Sequence, residues 1–136
     1  MTIDVARWAE SYARAWVEMD AEAASDLFAE DATYRSFIFD EPHVGRDGVR
    51  AYWSEVTATQ AEVHVTMGRP IVDGPRAAVE FWTNMENSGE EVTLVGCLLL
   101  TFDDEGVAGA SMSITSLPRA SSNRPPIGAR SSGNMW

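Results

Sequence analysis

Lysine is missing from this chain, because all ten of its basic residues are arginines. Schiff-base chemistry on an internal amine is therefore excluded. Cysteine occurs once, at Cys97, which rules out an intramolecular disulfide and a thiolate metal cluster. Followed by Leu98-Leu99-Leu100, that thiol has apolar company which disfavours the thiolate. It reads as a small strand residue rather than a nucleophile. Positive charge is scarce altogether: ten arginines against 21 acids give a net charge of −11, the wrong sign for binding nucleic acid. Long hydrophobic runs are lacking as well. The longest, near Leu94 to Leu100, is strand-sized and flanked by charge, so no membrane span or membrane partner is expected. The start, MTIDVARWAE, carries an early acid and no basic-then-apolar signal pattern, so a cytoplasmic location is expected. His43 lies in a loop and His64 on a predicted strand, which makes no ligand pair, and no carboxylate cluster has metal spacing. No glycine-rich phosphate loop precedes a helix, and no Gly-x-Ser-x-Gly elbow occurs. Neither a metal nor a cofactor is expected.

What the sequence does contain suits one core: 136 residues, 45% hydrophobic and 10% aromatic. Val5, Trp8, Tyr12, Trp16 and Met19 fall at three- and four-residue steps and predict a helix over about 3–19 with one aromatic stripe. Asp20 caps a shorter second helix carrying Ala23, Ala24, Leu27 and Phe28, ending near Glu30. Ala32 to Phe37 then alternates as a strand. FDEPHVGRDG reads as a loop, and Val49, Tyr52, Trp53 and Val56 mark a third helix. From Glu62 onward four long β-runs follow, separated by turns at Asp73-Gly74-Pro75, Glu86-Asn87-Ser88-Gly89 and Asp103-Asp104-Glu105-Gly106. They predict an antiparallel meander, with Gly68-Arg69-Pro70 bending or bulging its first member. Three helices and a curved antiparallel sheet give an α+β domain over residues 1–117.

Residues 118–136 have a different composition, rich in Pro, Ser, Gly and Arg. All 21 acids precede Gly106, whereas Arg119, Arg124 and Arg130 follow it. This tail either remains solvated without regular structure or lies over the acidic body, Met135-Trp136 included.

LFAEDATY, the stretch Pro42 to Trp53 (P-x-V-G-x-x-G-V-x-A-Y-W) and DGPRAAVEFW resemble the nuclear transport factor 2-like superfamily, and most of all its SnoaL-like branch. The resemblance covers about residues 3–117. It implies a cone: a curled sheet closed on one side by helices, with an apolar pocket between. Laid on the ketosteroid isomerases of that superfamily, Tyr12 takes the place of the tyrosine that donates to the substrate oxyanion. Ser36 takes the place of the carboxylate base, and Leu98 that of the protonated acid. With two of three groups changed, steroid isomerisation is not expected.

Glu30 and Asp31 read as solvated residues or turn caps. On the strand that begins at Glu62, either His64 faces the pocket or its valine neighbours do; burial logic turns Val63 and Val65 inward, and the isomerase pattern turns His64 inward. An inward His64 would be the best general base in the chain. The superfamily pattern turns Phe81 and Thr83 inward. Ser111, Ser113 and Thr115 line one face of the last strand, which is either a polar rail for a ligand or an outer face at a dimer contact. His43 reads as structural or surface.

The expectation is a homodimeric cone that binds a small apolar organic molecule. In the preferred reading it is a SnoaL-like enzyme of secondary metabolism, a cyclase, isomerase or dehydratase working by acid–base catalysis. Tyr12 donates to an oxyanion, His64 moves the proton, and Ser36, with Ser113, orients the substrate. Trp16, Phe28, Trp53, Phe81 and Leu98 exclude water. A non-catalytic ligand-binding or accessory protein is the alternative, followed by a dimerisation scaffold.

Overall fold

A computed structural model describes residues 4–36, 39–104 and 106–118, with side chains through residue 114. The first helix, α1 (Val5–Val17), opens on Asp4, whose carboxylate accepts from the Arg7 amide at 3.1 Å. That bond satisfies one of the amides every helix start leaves over. Val5, Trp8, Tyr12 and Trp16 are buried along one face, as their spacing predicts. Met19 is not part of that stripe. It lies past the helix in a left-handed turn with φ 55°, and its side chain is exposed.

The second helix, α2 (Ala21–Asp26), is capped by Asp20, which accepts from the Ala23 amide at 3.0 Å. It stops well short of Glu30, and the strand expected from Ala32 begins at Phe28: β1 spans Phe28–Arg35. Phe28 pairs in parallel with Val107 of the last strand, and that tertiary partner overrides the weak local preference of a one-turn helix extension. Between Phe28 and Thr33 the register shifts. The irregularity leaves Glu30 and Asp31 exposed side by side, which a regular alternating strand forbids. They are solvated strand residues.

A short strand, β2 (His43–Val44), pairs with β1, setting His43 opposite Tyr34, and runs straight into α3 (Gly45–Thr57). The expected loop is therefore shorter than its composition suggests. Next come β3 (Gln60–Met67), β4 (Ile71–Asp73), β5 (Arg76–Asn87), β6 (Glu90–Asp103) and β7 (Gly106–Pro118). Gly68 to Pro70 divides the first long β-run into two strands, both paired with β5, and the Gly68 amide donates to the Glu80 carbonyl at 2.7 Å. The bulge itself lies earlier in that run. Glu62 has φ 51°, and the register shifts between Ala61 and His64.

Together the strands form one seven-stranded sheet in the order β2-β1-β7-β6-β5-β3, with β4 beside β5. The antiparallel meander expected of the four long runs is present as β3-β5-β6-β7, with β4 split from the first run, and β1 extends it by a parallel pairing with β7. Residues directly opposite one another across a ladder share a face. By this rule Tyr34, Ala110, Leu100 and Ala77 form one inner row, Met112, Leu98 and Val79 the next. Both rows are buried with the helices' aromatic faces in a single core. The opposite face carries His64, Trp82, Cys97, Leu99 and Ser113. No described helix is long and apolar enough to cross a membrane. Phe37 and the tail from Arg119 lie outside the described residues.

Candidate functional site

Tyr12, Tyr34 and Tyr52 are the only tyrosines of the chain, and folding brings them together from α1, β1 and α3. The Tyr12 and Tyr34 hydroxyls lie 2.9 Å apart, and either can donate. Tyr34 is also hydrogen-bonded to Tyr52, and Tyr52 to Ser36. The result is a string of hydroxyls from the centre of α1 to the end of β1. The His43 ring packs on it, 4.8 Å from the Tyr52 ring and 6.4 Å from that of Tyr34. Burial pushes all three phenols above their ordinary pKa; hydrogen bonding opposes this at Tyr12 and Tyr52 without reversing it. At neutral pH the string is protonated throughout. It can donate and relay protons, but it offers no anionic base.

Beside it lies a cavity of about 190 Å³, between α1, α3 and the inner face of the sheet. Trp16, Tyr52 and Trp53 supply an aromatic wall, and Met85, Leu94 and Met112 an aliphatic floor. Gln60 stands at its edge, accepting from the Trp16 indole N–H at 2.8 Å. The Trp53 indole N–H and the Thr83 hydroxyl are buried without a hydrogen-bond partner among the described residues. Neither an acid, a histidine nor an arginine lines the cavity among the described residues. Outside those residues the sequence holds one further acidic side chain, Glu105, and no histidine. A second, open depression of about 370 Å³ lies chiefly on the other face of the sheet, with Arg35 and Arg76 at its sides. Among the described residues no three His, Cys, Asp or Glu side chains are grouped as metal ligands would be.

The expected site residues fall into three groups. Trp16 and Trp53 line the cavity. Tyr12, Phe28, Phe81, Thr83 and Leu98 are buried on the inner side but belong to the core around it, with Ser36 half-buried at the end of the hydroxyl string. His64 and Ser113 are the corrections. Both side chains are exposed on the outer face. The bulge at Glu62 sets Val63 and Val65 toward the core and His64 opposite Asn84, so burial logic, not the isomerase pattern, decides that strand. Ser113 lies across from Cys97 on the outer face, while Met112 takes the inner row. The Tyr12 hydroxyl does not open into the cavity; its partner is Tyr34.

The sequence of the chain matches the SnoaL-like domain model over residues 9–110. The chain belongs to the SnoaL-like family. Solved structures agree on the fold. A hypothetical protein with a ketosteroid isomerase-like fold from Catenulispora acidiphila, in complex with trimethylamine, superposes with a TM-score of 0.74 at 23% identity, covering 87% of this chain and 93% of that one. SalBIII, an epoxide hydrolase/cyclase-like enzyme of pyran ring formation in salinomycin, gives 0.69 at 24% identity over 81% and 89% of the two chains. A Shewanella denitrificans protein named as a SnoaL-like polyketide cyclase gives 0.69 at 15% identity, again over 81% and 89%. At such identities these likenesses establish architecture alone. No curated protein matches the sequence.

Within this SnoaL-like domain, Tyr34, Tyr52, His43 and Gln60 are the site residues that sequence reasoning passed over. Tyr34 precedes Ser36 by two on one strand face, and Tyr52 adjoins Trp53 on the α3 stripe. Those spacings were legible, but they are equally the spacings of ordinary core residues. Gln60 begins a strand and carries no signal of its own.

Proposed function

We propose that this SnoaL-like chain is a cofactor-independent cyclase acting on a small, mostly apolar, polyketide-like molecule of secondary metabolism. The observation that carries the reading is the protonated hydroxyl string whose cavity-side member is Tyr52. Enolate-forming isomerisation and dehydration begin with a base removing a proton from carbon, and the described cavity wall offers no carboxylate or imidazole for that step. Ring closure by the substrate's own hydroxyl asks less of the protein. As the C–O bond forms, an electron pair moves onto a substrate oxygen, which Tyr52 protonates. The proton lost by the attacking hydroxyl returns to the Tyr52 oxygen, the member of the string that borders the cavity, and the enol so formed ketonises. Trp16 and Trp53 hold the chain folded and exclude water. The ring-forming role named for SalBIII is consistent with this reading.

The test is turnover of a linear hydroxy-enone that closes to a tetrahydropyran, followed by loss of the enone absorbance. The protein should accelerate closure over buffer, and Tyr52→Phe should lower kcat by about 100-fold, the lower end of general-acid effects. A probe that binds yet closes no faster than in buffer would instead establish the second reading, a ligand-binding or accessory protein. The same base-poor cavity favours that alternative.

We further propose a homodimer formed through the outer face of the 1–117 domain. Ile71 and Leu99 stand there in one exposed row across Ala78, an apolar surface suited to a partner. Sedimentation should show a dimer that Leu99→Glu converts to monomer; a wild-type monomer at micromolar concentration would refute it.

A further inference from the structure

We infer that Gln60 makes the cavity selective for a neutral molecule bearing an oxygen acceptor, such as a ketone, lactone or cyclic ether. This rests on reading the cavity as a ligand site. The Trp16 indole N–H can only donate, so the Gln60 atom 2.8 Å from it is the carboxamide oxygen. Trp16 is itself buried in the aromatic core, stacked edgewise on Trp53 and Phe81. The carboxamide is thereby held with its oxygen engaged and its NH2 group left to serve the cavity edge. Among the described residues that NH2 group has no partner. The neighbouring Trp53 N–H also has no partner among the described residues, but it is fully buried and not presented to a ligand.

Besides Gln60 the lining includes Tyr52, Thr59 and Asn87, polar but uncharged, so the wall selects against charge. An anion would lie there without a cation, since no arginine lines the cavity among the described residues. A small ammonium ion would gain the three rings of Trp16, Tyr52 and Trp53, but among the described residues it finds no carboxylate there and meets the Gln60 NH2 group beside the rings. A neutral carbonyl or ether oxygen satisfies the amide, and the rest of the ligand packs on the rings and on Met85, Leu94 and Met112. Tyr52 lies earlier on α3 than the Gln60 end, so this oxygen is distinct from the one that Tyr52 protonates.

The probes are cyclohexanone, its apolar isostere methylenecyclohexane, and tetramethylammonium, titrated into the full chain while the Gln60 side-chain amide and the indole N–H signals are followed by NMR. Cyclohexanone should move the Gln60 NH2 signals, and methylenecyclohexane should not. The affinity ratio of ketone to alkene should fall about five- to tenfold in Gln60→Leu, as expected for one buried neutral hydrogen bond. Gln60→Glu keeps an oxygen for the Trp16 N–H but replaces the donors by a carboxylate. It should lower the same ratio and raise affinity for tetramethylammonium. If cyclohexanone and methylenecyclohexane both bind with a ratio unchanged in the two variants, the role of Gln60 is overturned while the ligand site stands. Tetramethylammonium as the tightest wild-type ligand also overturns it. Failure of every probe to bind overturns the ligand-site reading, and this inference with it.

Discussion

Above about pH 10 the protein should lose stability at up to roughly 4 kcal/mol per pH unit, with its tyrosines ionising together as it unfolds. In an unfolded chain a phenol releases its proton near pH 10, whereas burial raises Tyr12, Tyr34 and Tyr52 above that value in the fold. Below pH 10 both states hold the protons and nothing changes. Above it the unfolded chain releases each proton before the native chain does, so each tyrosine removes up to about 1.4 kcal/mol per pH unit until its own raised native value is reached. Against a total of about 5–15 kcal/mol for a domain, two or three pH units suffice to unfold it.

The absence of lysine makes the experiment clean, because no amine side chain titrates in the same window. Cys97, whose thiol burial also pushes up, adds a loss of the same sign beginning at lower pH, and Cys97→Ser removes it. The measurement is the near-ultraviolet tyrosinate band recorded alongside far-ultraviolet circular dichroism. The two should change in one cooperative step, and Tyr34→Phe should reduce the pH slope by about a third. Three phenols that titrate individually near pH 10 with the fold intact would show that no buried string exists.

Gly96→Ala should cost about 2–3 kcal/mol, at the upper end for inserting a methyl group into a packed core. Gly96 sits on the inner face of β6, opposite Phe81 on one side and Ile114 on the other. The Phe81 ring covers the space a side chain would fill: a Cβ there would meet its Cζ at 2.8 Å and its Cε2 at 3.0 Å, and the Ser113 carbonyl oxygen as well. The ring can give way only toward Trp16, whose centroid is 5.7 Å off and whose indole holds Gln60. The carbonyl, fixed in the β6–β7 ladder, cannot move.

At roughly 4 °C of melting temperature per kcal/mol for a chain this size, the expected drop is about 8–12 °C. Phe81→Ala alone should cost about 3–5 kcal/mol through the cavity it leaves. The double variant should cost less than the sum, because the ring that the added methyl group would displace is gone. Additive losses, or a Gly96→Ala variant as stable as the parent, would refute the close packing.

These two expectations differ in how much of them could be read from the chain before folding. The aromatic stripe of α1 and the apolar spacing of α3 were legible because helix periodicity is local. So were the turns at Gly74, Gly89 and Gly106, where positive φ favours glycine. The junction at Leu27 was not, because a short apolar run suits a helix end or a strand start equally, and only pairing with Val107 decides between them. Ser36 was expected to orient the substrate; two further tyrosines link it to Tyr12 instead.

By itself the sequence determined the periodic elements, the absence of lysine and of paired cysteines, and the family, since each depends on residue identity and near-neighbour spacing. Tertiary structure alone decided that His64 and Ser113 face outward, that three scattered phenols share one chain of hydrogen bonds, and that Gln60 meets the Trp16 indole beside a cavity. A single bulge at Glu62 or a parallel partner for Phe28 reassigns whole rows of side chains, and such registers are set by contacts between residues far apart in the chain.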